Sequence, residues 1–220
     1  MKEKIIFIGC GAVTSEVIAC LDDIAKQNPD QTYEVYGYLD DDPTAFHMNS
    51  KKYGLKGEFL GSIIQHDFST EFSYVFGFAN PVSKHKILNN IDIGMLNFPN
   101  IIHPSVIIGK TAKMGIGNVI YPHSVVGPNC EIGNFNLLTS YSFISHDCQI
   151  GDYNFFSTAG LSGDVIVKDQ NFFGIRSTVI PSITIGSNNT IQAGMVIDRN
   201  ISDFETVFYR FKEKVSIIRI

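Results

Sequence analysis

The stretch SFISHDCQIG, residues 142–151, decides the fold. Ile144 and Ile150 lie six residues apart, a spacing required by neither a strand of period two nor a helix of period 3.6. Outward from this stretch the same beat continues through Ile108, Met114, Ile120, Val126, Ile132, Leu138, Ile144, Ile150 and Phe156. It slips by one residue at Leu161 and resumes at Val167, Phe173, Val179, Ile185, Ile191 and Ile197. Glycine often follows the beat, as at Gly109, Gly127, Gly151 and Gly174, and the fourth residue after it is small or polar, as at Asn118, Ser124, Cys130 and Asn136. A hexapeptide repeat predicts a parallel β-helix, a triangular prism in which the beat residue points inward and three units close a coil of about 18 residues.

The first hundred residues have another rhythm. Lys4–Ile8 reads as a strand, Gly9-Cys10-Gly11 as a turn, Thr14–Lys26 as a helix, and Tyr33–Leu39 and Tyr74–Phe78 as further strands, with a second helix over Lys84–Asn90. Strand, glycine turn, helix and strand open a doubly wound, Rossmann-like α/β domain whose ligands sit at the carboxyl ends of the strands. The expected division is 1–97 for this α/β domain, 98–200 for the β-helix and 201–220 for a C-terminal extension, with Phe98-Pro99 interrupting both patterns.

The composition narrows the function classes. The 220 residues carry a net charge of −5 with scattered Lys and Arg, which argues against a nucleic-acid surface. The aromatic and basic residues of Phe204–Lys214 read instead as a packed extension. No stretch has the length of a membrane span and the start does not read as a signal peptide. The cysteines, Cys10, Cys20, Cys130 and Cys148, have no metal spacing and read as buried free thiols of a cytoplasmic protein. Metal binding is not expected, because His103, His123 and His146 are separated by 20 and 23 residues and do not stack on a coil of about 18. His103 reads as a structural start to the first coil. A lone Gly9-x-Gly11 with Thr14 in place of a third glycine disfavours NAD.

Chemistry points to His146. Two residues past the beat, it lies outside the inner stack, where a neutral imidazole can take a proton from a nucleophile, and Asp147 can hold the ring. No serine or cysteine with a matching base stands out, so direct acyl transfer fits better than a covalent acyl-enzyme. Asp40 and Asp41 close the second strand, either as a solvated turn or as ligands of a ribose or base. Arg176 reads as a solvated residue or as a contact for a phosphate group of a ligand.

IIHPSVIIG at 101–109, ISHDCQIG at 144–151 and SITIG at 182–186 resemble the left-handed β-helix nucleotide-sugar acetyltransferases, the NeuD-like sialic-acid O-acetyltransferase and bacillosamine-pathway N-acetyltransferase family. The resemblance spans essentially the whole chain. It implies a homotrimer with acetyl-CoA in the groove between prisms and a nucleotide-linked amino sugar gripped by the N-terminal domain. His146 is then the general base, Asp147 its partner, and Gly163 the glycine whose N–H faces the acyl carbonyl. Gly9, Gly11, Asp40 and Asp41 fall on the substrate side. The sequence departs from the family at Thr139, where a sugar-contacting Asn is usual, and at Phe155, where a second histidine near the acyl group is usual. The glycine turn lacks the later residues of G-x-G-G-H-G, and VFYRFKEK at 207–214 replaces a G-x-P-A-K-like closing segment. Thr139 is carried as a sugar contact, and Phe155 and Arg176 as CoA contacts. The expected reaction is N-acetylation of an amino-deoxy sugar in a surface-polysaccharide or glycan pathway. O-acetylation is the near alternative, and a non-catalytic nucleotide-sugar-binding protein the alternative from another class.

Overall fold

The computed structural model describes residues 2–209. The N-terminal region is an α/β layer of elements β1 (Glu3–Ile8), α1 (Ala12–Gln27), β2 (Tyr33–Leu39), α2 (Pro43–Tyr53), β3 (Glu58–Gly61), β4 (Ser73–Phe76) and α3 (Pro81–Leu88). Its four strands are parallel in the order β3-β2-β1-β4. The near-continuous apolar run of β1, with Ile5, Ile6, Phe7 and Ile8 all fully buried, is what a parallel strand covered on both faces requires. α1 carries a buried stripe of Val17, Cys20, Leu21 and Ile24 at helical spacing. Asp42 caps α2 by accepting from the Thr44 N–H at 2.9 Å, with Pro43 at the first helical position. The hydrophobic pattern of 43–53 is weak and no residue of α2 is fully buried, which is why the sequence shows no helix there.

From Ile101 onward the chain is a left-handed parallel β-helix of two-residue strands stacked in three sheets. The first face runs from Ile101–Ile102 to Thr206–Val207, the second from Ile107–Ile108 to Val196–Ile197, and the third from Lys113–Met114 to Thr184–Ile185. The beat residues fill the interior: Ile120, Val126, Leu138, Ile144, Phe156, Leu161 and Phe173 are each at most 1% exposed. The slip falls in the corner between Phe155–Phe156 and Gly160–Leu161, which makes that coil 17 residues, so Phe143 pairs with Gly160 and Gln149 with Ile166. The coil continues past residue 200, since Ile201 bridges Ile185 and Thr206–Val207 pairs with Thr190–Ile191. The first part of the expected extension therefore lies on the prism, and 210–220 fall outside the described residues.

The residues four places after the beat are buried as well. Asn118, Asn136, Asn154, Asn171 and Asn189 form a ladder along one inner corner, each side-chain oxygen accepting the backbone N–H of the next. Corners reach the left-handed backbone region, as at His123, Tyr141, Asp147 and Arg176.

The three outer faces differ. On the first, Ile101, Val119, Leu137 and Phe155 are covered by the α/β region, with Val17 and Leu21 of α1 in the shared core. The third presents Lys113, Glu131 and Gln149 to solvent. The second presents Ile107, Val125, Phe143 and Val196, apolar and exposed.

Candidate active site

His146 stands at the corner where the second face ends, directly after the strand Phe143–Ile144. Its Nδ1 lies 2.7 Å from Asp147 Oδ2. The left-handed backbone of Asp147, φ 60°, turns its carboxylate back toward the preceding ring. Asn129, one coil earlier, donates to Asp147 Oδ1 at 3.1 Å. Together these donors, His146 first and Asn129 second, hold the Asp147 carboxyl below the usual carboxylate range. A proton on Nδ1 satisfies Asp147 and leaves the Nε2 lone pair free, an assignment that follows from the bonding partner. Both side chains are about half exposed, 59% and 51%.

Gly163 lies under the ring, one coil on. A Cβ at this position would sit 2.5 Å from His146 Cε1 and 2.7 Å from Nε2, so only glycine leaves the imidazole in place. The 17-residue coil creates this register, because His146 and Gly163 each follow a beat residue, Ile144 and Leu161, by two. The Gly163 carbonyl accepts from Ser182 N–H, and among the described residues its own N–H donates to none. The arrangement is a base with a fixed tautomer beside a free backbone donor.

The other expected residues lie elsewhere on the chain. Thr139 and Arg176 occupy the corner at the opposite edge of the second face, where Thr139 Oγ1 accepts from Thr158 N–H at 2.8 Å and Arg176 is exposed. Phe155 is on the first face, 8% exposed and packed on Phe172 at 4.9 Å between ring centroids. The structure does not bring Phe155 to His146: an outward side chain on this face enters the core under α1. His103 contacts Asp23 of α1 at 3.3 Å and Ser105 at 2.8 Å, and His123 stacks on Tyr141, so both are separate from His146.

In the α/β region Gly9 needs its glycine, with φ 98° and its N–H donating to the Leu39 carbonyl. Gly11 precedes α1, and Thr14 is fully buried, bonding the carbonyls of Gly9 and Gly77. Asp40 accepts from the backbone N–H and the thiol of Cys10. Burial and this carboxylate push the Cys10 thiol up to about 12. Asp41 accepts from Ser62 Oγ at 2.6 Å and Ile63 N–H at 3.0 Å and borders a cavity of about 620 Å³. His66, Asp67, Phe68, Ser83, Lys86 and Asn90 also line it. Of the five expected substrate contacts, only Asp41 reaches this cavity. Its other walls come from segments without periodicity, although Asn80-Pro81 is a readable cap for the helix that supplies one wall.

No helix among the described residues is long and apolar enough to cross a membrane. All four cysteines are free and buried.

No family model and no curated protein matches the chain. Solved structures do. The acetyltransferase domain of PglB from Neisseria gonorrhoeae, in complex with acetyl coenzyme A, is 23% identical over 94% of this chain and 96% of that one, with a TM-score of 0.76. PerB from Caulobacter crescentus, in complex with CoA and GDP-perosamine, is 21% identical over 91% of each chain, at 0.74. WeeI from Acinetobacter baumannii is 21% identical over 93% of this chain and 96% of that one, at 0.75. At these identities the shared property is the fold, an α/β region followed by a left-handed β-helix.

Proposed function

We propose that the protein transfers an acetyl group from acetyl-CoA to the amine of a nucleotide-linked amino-deoxy sugar. The observation that carries this reading is the His146–Asp147 pair set over Gly163. The amine nitrogen attacks the thioester carbonyl while His146 Nε2 takes its proton. Asp147 orients the ring and stabilises the imidazolium. The oxyanion of the tetrahedral intermediate meets the Gly163 N–H. Collapse breaks the C–S bond, and the CoA sulfur leaves with the proton from His146. PglB with bound acetyl coenzyme A and PerB with CoA and GDP-perosamine support the choice of donor and acceptor. The cavity beside Asp41 has room for a nucleotide and a cation, Lys86, for its phosphates. We place the enzyme in the cytoplasm, in the synthesis of a surface polysaccharide or another glycan.

The working form is a homotrimer. The bare apolar strip of Ile107, Val125, Phe143 and Val196 supports this assembly, since the first face is covered and the third is polar apart from Ile166. Around a three-fold axis the His146 edge of one chain meets the opposite edge of the next, the one bearing Thr139 and Arg176. These two residues then reach sugar and CoA from the neighbouring chain, whereas Phe155 contributes to the core.

The test is acetyl transfer from acetyl-CoA to UDP-, dTDP- and GDP-linked amino sugars, beside His146→Ala. Turnover of one acceptor, falling about 10²-fold or more in the variant, supports the reading. Nucleotide binding without turnover of any acceptor would replace it with a non-catalytic binding protein.

A further inference from the structure

Lys84 has no role in the chemistry above, yet it is 2% exposed. Its Nζ donates to the Phe135 carbonyl at 3.1 Å, lies 5.9 Å from the centre of the Phe76 ring, and pairs with no carboxylate among the described residues. Phe135 is itself buried at a prism corner, so the lysine satisfies a carbonyl that would otherwise be enclosed without a donor. An ammonium in that place would have one acceptor for three protons.

Lys84 belongs to α3, and α3 has two working faces. One carries Lys84 and Leu88 into the core shared with Phe135. His85, beside it, packs its ring against Tyr153 of the prism. The other face supplies Ser83, Lys86 and Ile87 to the wall of the cavity beside Asp41. One short helix therefore joins the recognition cavity to the prism that carries His146.

We propose that Lys84 is a positioning residue, which seats α3 on the Phe135 carbonyl and so sets the cavity wall relative to the prism. The proposal rests on the nucleotide-sugar reading of the cavity. The titratable groups on the surrounding elements are Tyr74 on β4, Tyr153 at the prism corner, and His85 and Lys86 on α3 itself; none bonds to Lys84. Burial alone brings its pKa down from 10.5 to about 7. The seated amine is then neutral above about 7, whereas release of α3 exposes it and it takes up a proton. Release costs one proton between these two values, so seating strengthens as pH rises through that window and is flat below it.

The experiment is hydrogen exchange of the amides of residues 82–88 in the full chain at pH 7, 8 and 9, corrected for intrinsic rates. It is run beside Lys84→Met, which keeps length and apolar contact without titrating. In the unaltered protein the opening equilibrium of α3 falls about tenfold per pH unit, and in the variant it does not change with pH. Equal slopes in both would overturn the seating. Lys84→Gln, which keeps a donor for Phe135, is read in the same way if the methionine variant does not fold. A second arm measures KM for the amino sugar that is turned over and Kd for UDP, dTDP and GDP. Lys84→Met raises KM by roughly fivefold to tenfold, with kcat within about twofold. Unchanged KM and Kd would overturn the positioning role. Absence of both binding and turnover in the unaltered protein would overturn the nucleotide-sugar reading and this role with it, while the exchange slopes decide the seating separately.

Discussion

The prism and the α/β region bury polar groups in different ways. Along the prism corner the same asparagine contact repeats coil after coil, with N–H to Oδ1 distances of 2.8–3.0 Å from Asn118 to Asn189. In the α/β region each buried polar group has a solution of its own: Thr14 between two glycine carbonyls, Ser73 on Glu3, Lys84 on Phe135. A repeated scaffold keeps its coils in register, and that register sets His146, Asp147 and Gly163 at another corner, the one between the second and third faces. Unrepeated contacts shape a cavity that can differ from protein to protein. On this account chemistry resides on the repeated prism and recognition in the irregular half.

The comparison can be broken at several points. The largest effect is expected from Phe143→Asp, which puts a charge in the bare apolar strip. It should convert the proposed trimer to monomers and remove nearly all activity; light scattering that still shows a trimer would contradict the assignment of the second face. Gly163→Ala comes next. Its Cβ displaces the imidazole, and acetyl transfer should fall about 10²-fold while the melting temperature changes little. Asn136→Ala strikes the ladder itself. It leaves the buried N–H of Asn154 without its acceptor, at a cost of about 2 kcal/mol, a factor of roughly 30 in the folding equilibrium, which denaturant unfolding would measure. The smallest effect is that of Asp147→Asn, about tenfold in kcat, since the ring loses a carboxylate partner but not its place. Because Asp147 is held below the usual carboxylate range, it stays ionised until pH falls through that depressed value. Any loss of activity caused by protonation of Asp147 should therefore appear only below the usual carboxylate range and be absent from Asp147→Asn.

The sequence makes the two halves legible to different degrees. Sixteen apolar beats disclose the prism, and the family resemblance singles out Gly163, whose place under His146 is visible only in the structure. β1, β2 and β4 are readable from their apolar runs, with β2 found at its full extent, whereas the short, incompletely buried β3 is missed. α2 is missed because its face is half solvated, and the cavity because its walls come from α3 and from irregular segments around Ile63–Phe68 and Ile91–Asp92 that only tertiary packing brings together. Asp40 is readable as a site residue but is occupied by Cys10. Phe155 takes part in the beat pattern like any outward residue, and nothing in the spacing tells which face the α/β region will cover.

The most direct measurement is a paired kinetic comparison of His146→Ala and Asp41→Asn on the amino sugar that the unaltered protein acetylates. The account predicts that His146→Ala lowers kcat about 10²-fold with KM within about twofold, and that Asp41→Asn raises KM with kcat nearly unchanged. Equal losses of kcat in both variants would contradict the separation of chemistry from recognition on which it rests.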